Sequence, residues 1–150
     1  MPAKQNSYDL SPLLDTQQNQ LGLVVSVGDN IDSKALALLA INVTLLIFIS
    51  QSSLHFTAWW QYALILGPYF ASLVLDALAV LPKNYLGASI DLSAHPEYLV
   101  MDSKTLTLQL LADTKKAISH NGRINDLRWR YCLISIMLTA GGTVALFAIL

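Results

Sequence analysis

Nine Lys and Arg residues are spread over 150 positions, and five of them (Lys115, Lys116, Arg123, Arg128 and Arg130) fall within sixteen residues, opposed by Asp113 and Asp126. Such a cluster can grip a phosphate-bearing ligand through charge-assisted hydrogen bonds. It can equally hold its segment on the cytoplasmic side of a membrane or bind anionic lipid headgroups. Arg128 and Arg130 lie beside an apolar stretch and suit the second role. Lys115, Lys116 and Arg123 lie farther from it and are the candidate ligand-binding residues. A net charge of -1 and the lack of interleaved basic and aromatic residues argue against nucleic acid as a partner.

Little else carries chemistry. Cys132 is the single cysteine, so one chain can build neither a disulfide nor a thiolate zinc site. His55, His95 and His120 have no metal-ligand spacing, and no phosphate loop or nucleophile elbow is present. No catalytic residue, metal or cofactor is expected. Asp76 stands out because it interrupts an apolar run, and a charge at the bilayer centre costs about 2.5–3.5 kcal/mol on insertion scales. It is either an interfacial carboxylate paired with Lys83 or Arg130, or a pore-lining or gating residue. Lys34, Arg128 and Arg130, at the edges of apolar runs, are the other candidates for a membrane-interface or gating role.

The elements that must position these residues follow from where charge is missing. From Ala35 to Leu75, and again from Tyr131 to Leu150, there is no Asp, Glu, Lys or Arg. A hydrocarbon core about 30 Å thick needs roughly 20 apolar residues as helix, so the first stretch allows two spans with a turn and the second allows one. A hydrophobic fraction of 54%, a mean hydropathy of +0.49 and a charged fraction of only 13% point the same way. The expected class is an all-α integral membrane protein, three transmembrane helices with a cytoplasmic helical stalk. The alternative is a soluble bundle of unusually apolar helices.

The chain divides into a flexible tail (1–10), a cytoplasmic helix (11–34), a first span (35–50), an outer turn (51–57), a second span (58–81), a cytoplasmic loop and helix (82–130) and a third span (131–150). No basic residue falls in the turn, so the N-terminus and residues 82–130 are expected on the cytoplasmic side. Trp59, Trp60 and Tyr62 at one end, and Tyr85, Trp129 and Tyr131 at the other, suit the two aromatic belts. Ser11, Pro12 and Asp15 suit a helix start, and His95-Pro96-Glu97 suits another. A 3.5-residue stripe runs Leu14, Gln17, Leu21, Val24, Gly28, Ile31, Ala35, Leu38. A second can be written Leu99, Ser103, Leu106, Leu110, Asp113, Ala117, His120, Ile124, Leu127, Tyr131, with Asn121-Gly122 as a possible helix stop. Two such helices could pair as a parallel stalk, and their imperfect stripes make homo-oligomerisation the natural inference. The spans look almost wholly apolar, so a conducting pore would need Asn42, Thr44 or Asp76 to line it. Otherwise the lipid itself would have to be disturbed. Gly141 and Ala145 give a small-xxx-small spacing.

Taken together, Asp32-Ser33-Lys34-Ala35 before the first span, two spans joined by a short turn, and Arg128-Trp129-Arg130-Tyr131 before the last span resemble the small transmembrane effectors of the Pycsar antiphage system. The resemblance covers most of residues 11–150, and Tyr98-Leu99-Val100-Met101-Asp102 is similar to the family's middle region. It implies an effector in the bacterial inner membrane beside a pyrimidine nucleotide cyclase. Such an effector senses cyclic CMP or cyclic UMP and impairs the membrane, so that cell death stops the phage. Effectors answering other cyclic nucleotides share this layout. The competing readings are an accessory or structural small membrane subunit and a holin-like pore former without a ligand.

Overall fold

The computed structural model describes residues 10–51, 58–87, 98 and 100–149, and within them the chain is helical: α1 (Ser11–Gln51), α2 (Trp59–Val80) and α3 (Ser103–Ile149). All three are long and apolar enough to cross a membrane, and only 17%, 28% and 22% of their most apolar stretches is buried within the protein. Leu36, Ile41, Ile47, Phe48, Leu64, Phe70, Val74, Met137, Val144 and Phe147 are exposed. That much outward apolar surface is tolerable in lipid and a liability in water. The chain is therefore a multi-pass membrane protein.

The helix ends follow from local chemistry. Leu10 offers the first accepting carbonyl of α1, to the Leu14 amide at 3.1 Å, so Ser11 is already helical rather than the cap. At α2 the Gln61 side chain reaches back to accept the Ala58 amide at 3.1 Å. Gly67 and Pro68 lie inside α2 without ending it. Before α3, the Asp102 carboxylate accepts the Thr105 amide at 3.2 Å. The expected start at His95-Pro96-Glu97 lies outside the described residues.

Bonds from the Thr105 side chain and backbone hold the Asp102 carboxyl below its ordinary range. A lowered folded-state pKa gives stability that is complete above the unfolded value, near 3.9, and is lost as pH falls through the folded value. The protection factor of the Thr105 amide, its exchange relative to an unstructured chain at the same pH, should accordingly fall in acid, and Asp102→Ala should show that low protection at neutral pH.

The chain forms two compact units, one from residues 1–26 and 84–123, the other from 27–83 and 124–150. In the first, Leu21, Leu111 and Ala117 are buried. Asn121 is buried as well: its carbonyl accepts the Leu86 amide and its amide donates to the Leu86 carbonyl, both at 2.9 Å. This two-point clamp on the 84–87 segment corrects the possible stop at Asn121-Gly122, because α3 runs through both residues. Tyr98 donates to Asp113 at 2.5 Å, and the His120 ring meets the Asn84 carbonyl at 3.2 Å.

In the second unit α2 runs against α1 and α3. Ile31 and Ala35 of α1 pack with Ala79 of α2 and Cys132 of α3, while Ile49 packs with Ile65, Tyr69 and Leu146. Packing is tight at Gly142, where a Cβ would meet the Tyr69 ring at 3.1 Å and Pro68 Cβ at 3.3 Å. Gly141, the expected packing glycine, is exposed and has nothing within 4 Å of such a Cβ. Gly142→Val should cost about 1–3 kcal/mol through overpacking, and Gly141→Ala should be tolerated. Thermal unfolding of both variants in detergent checks this.

Candidate functional site

Three features of the 27–83 and 124–150 unit converge on α1, α2 and α3. The first is a charged collar. Arg128 is 1% exposed, ion-pairs with Asp32 of α1, and donates from Nε to the Ala79 carbonyl of α2 at 2.7 Å. Ala79 lies in the last turn of α2, where carbonyls lack intrahelical donors and the helix dipole favours a cation. One guanidinium thus ties all three helices together, which only a planar, multi-donor cation can do.

The second feature is a groove of about 380 Å³ beside the collar, lined by Val27, Asn30, Ile31, Lys34, Asn125, Asp126 and Trp129. The Lys34 ammonium lies 5.1 Å from the centre of the Trp129 ring, a cation–π distance. The groove offers a cation, an anion, two amides and an indole within a few helical turns. Lys34 is two residues from Asp32, and Trp129 adjoins Arg128.

The third feature is a polar seam inside the spans. Asn42 of α1 donates through Nδ2 to Ser72 Oγ at 2.6 Å and to Asp76 Oδ2 at 2.9 Å, and its Oδ1 accepts from Thr139 of α3 at 2.7 Å. Ser72 Oγ meets Ser135 Oγ at 2.6 Å and Thr139 Oγ1 at 3.0 Å, and the Tyr69 hydroxyl meets Thr143 Oγ1 at 2.9 Å. Asn42, Tyr69, Ser72, Asp76 and Ser135 are all fully buried. Asn42 has spent both amide protons and its carbonyl, and Asp76 Oδ1 is buried with no hydrogen-bond partner. Apolar clusters flank the seam on both sides, Ile31, Ala35, Ala79 and Cys132 on one, Ile49, Ile65, Tyr69 and Leu146 on the other.

The residues singled out by sequence are distributed unevenly over these features. Asp76 lies in the seam, bonded to Asn42 rather than to Lys83 or Arg130. Lys34 lines the groove, Arg128 forms the collar and Arg130 is exposed. The lipid-facing role expected of Arg128 is corrected by its burial against Asp32. Lys115, Lys116 and Arg123 are exposed on α3, in the other unit, and are not among the residues that line this groove. Thr44 faces outward and bonds back to the Ala40 carbonyl at 2.8 Å, so it takes no part in the seam. Sequence reasoning missed Ser72, Ser135, Thr139 and Thr143. The signal available was their spacing, since 135, 139 and 143 recur every four residues on one helical face.

No protein-family model, curated protein or solved structure matches this chain.

Proposed function

We propose that this chain is a signal-responsive membrane effector. In this reading it lies in the bacterial inner membrane with its N-terminus cytoplasmic, works as a homo-oligomer, and answers a cyclic pyrimidine nucleotide made by a partner cyclase. The response impairs the bilayer and aborts phage infection. The sequence resemblance supplies the ligand class and the biological setting.

The observation that carries the switching part is the adjacency of groove and collar. Trp129 presents a ring on which a base can stack, Lys34 a cation for a phosphate, and Asn30, Asn125 and Asp126 polar groups for a base edge or ribose. A ligand that draws Lys34 away from Trp129 acts on the same turns that carry Asp32 and Arg128. The ion pair that ties α1 to α3 is therefore the element it biases. For such a switch to work, the ligand must bind one packing of the helices more tightly than the other.

Titration calorimetry of the purified full chain in lipid nanodiscs with cyclic CMP and cyclic UMP tests the reading. Saturable binding is expected, weakened at least tenfold by Lys34→Ala or Trp129→Ala. If Lys115→Ala/Lys116→Ala/Arg123→Ala abolishes binding and the groove variants do not, the ligand belongs at the exposed α3 cluster instead. No binding of either nucleotide would sink the nucleotide reading.

A further inference from the structure

A buried carboxylate inside a membrane-spanning unit is costly, so its surroundings report on its use. Asp76 is fully buried, its Oδ1 has no donor, and no Lys or Arg is among its hydrogen-bond partners. The Asn42 amide donates to its other oxygen, and from there the seam continues through oxygen atoms, the Asn42 carbonyl and the hydroxyls of Ser72, Ser135 and Thr139, with Thr143 and Tyr69 beyond. Were these groups needed only to join helices, Asn42, Ser72 and Thr139 would suffice, and an apolar residue at position 76 would avoid the cost of the carboxylate.

We propose that the seam is a path for small monovalent cations, closed at rest by the two apolar clusters that flank it. From Ser135 to Thr143 it rises through two helical turns, about 12 Å of a hydrocarbon core of about 30 Å. Ile49, Ile65, Tyr69 and Leu146 plug one end. Ile31, Ala35, Ala79 and Cys132 plug the other. Hydration of those plugs would join the seam to water on both sides. Its one carboxyl group and its oxygen lining favour cations over anions. The inference rests on the spanning of the membrane and not on the nucleotide reading, so either can fail without the other.

The test needs no ligand. The full chain carrying Ala35→Ser/Ile65→Ser, one polar group in each plug, is reconstituted into phosphatidylethanolamine–phosphatidylglycerol liposomes. The expected result is dissipation of a pH gradient or of a K⁺ gradient, with entrapped carboxyfluorescein retained. Adding Asp76→Asn should cut the cation flux at least tenfold. A pH-sensitive dye and a K⁺-sensitive dye in separate vesicles distinguish protons from alkali cations, and flux of either supports the path. Release of carboxyfluorescein or chloride at the cation rate would overturn it, as would a flux indifferent to Asp76→Asn. An inserted but silent double variant would overturn it too. Should that variant not insert, Leu146→Ala, which only opens a void in one plug, carries the same comparison with and without Asp76→Asn.

Discussion

Replacing Arg128 by alanine should lower the stability of the three-span unit by about 3 kcal/mol, the low end of the ~3–5 kcal/mol for breaking a buried ion pair. The low end applies because the two partners are unequally buried: the Arg128 side chain is 2% exposed and that of Asp32 is 40% exposed. Water can therefore re-solvate the abandoned carboxylate in part. The Ala79 carbonyl also loses its donor in the last turn of α2, where few others are at hand. Arg128→Lys keeps the charge but cannot reach Asp32 and the carbonyl with the same fork of donors, so it should recover only part of the loss. In a double-mutant cycle, Arg128→Ala with Asp32→Ala should cost less than the sum of the two single changes. Unfolding of the four proteins in mixed micelles measures each term. A strictly additive cycle would mean that the collar is not an energetic unit.

The second large effect should come from Asn42. Its removal as Asn42→Leu takes the donor from Asp76 Oδ2, an acceptor from Thr139 and a donor from Ser72. An unsatisfied buried group costs about 1–3 kcal/mol in general, and hydrogen bonds between membrane helices average about 0.6 kcal/mol. Ser72, Ser135 and Thr139 keep one another, so most of the loss falls on Asp76. A destabilisation of about 2 kcal/mol is expected. Asn42→Asp should be worse although it is nearly isosteric, because it places a second carboxylate 2.9 Å from the first, where an amide donated before. The order Asn, then Leu, then Asp in thermal stability is the signature of a donor at this position. If Asp were tolerated as well as Asn, the hydrogen bond to Asp76 would not matter.

The three membrane-crossing helices were legible because the bilayer imposes a length and forbids unpaired charge, and both constraints are written in the charge-free runs. The stripe on α1 was legible for a similar reason. Leu14, Gln17, Leu21, Val24, Gly28, Ile31, Ala35 and Leu38 are all buried or half-buried. On α3 the stripe held in part: Ala117 is buried and Leu106, Leu110, Asp113, Ile124 and Tyr131 are half-buried, but His120 and Leu127 are exposed while Asn121 and Arg128 beside them are buried. The slip is one residue, and its cause is that α3 packs through polar groups with partners far away in sequence. Arg128 is buried only because Asp32 and the Ala79 carbonyl meet it, 96 and 49 positions distant. No local pattern encodes such a pairing.

The candidate site was half legible on the same grounds. Asp76 announces itself as an anomaly in an apolar run, but Asn42 lies 34 residues away and nothing in their spacing joins them. The spans looked bare of polar groups because Ser and Thr are inconspicuous among Leu and Ala. Their alignment on one face of α3 against Ser72 and Asn42 turns scattered hydroxyls into a seam. The basic cluster shows how differently charge density and geometry point. Charge density drew notice to Lys115, Lys116 and Arg123 as ligand-binding residues, and these are solvent-facing, whereas Lys34, expected only at the membrane interface or in gating, sits over an indole in a groove.

Membrane potential in living bacteria joins groove, collar and seam in one readout. Cells producing the chain, loaded with a potential-sensitive dye, are supplied with cyclic CMP or cyclic UMP from a co-expressed cyclase. Rapid depolarisation is expected with the unaltered chain, and at least a tenfold smaller response with Lys34→Ala/Trp129→Ala at equal membrane abundance. A polarised membrane in the presence of the unaltered chain and both nucleotides, or depolarisation that ignores the groove substitutions, would contradict a switch built from the groove and the Asp32–Arg128 collar.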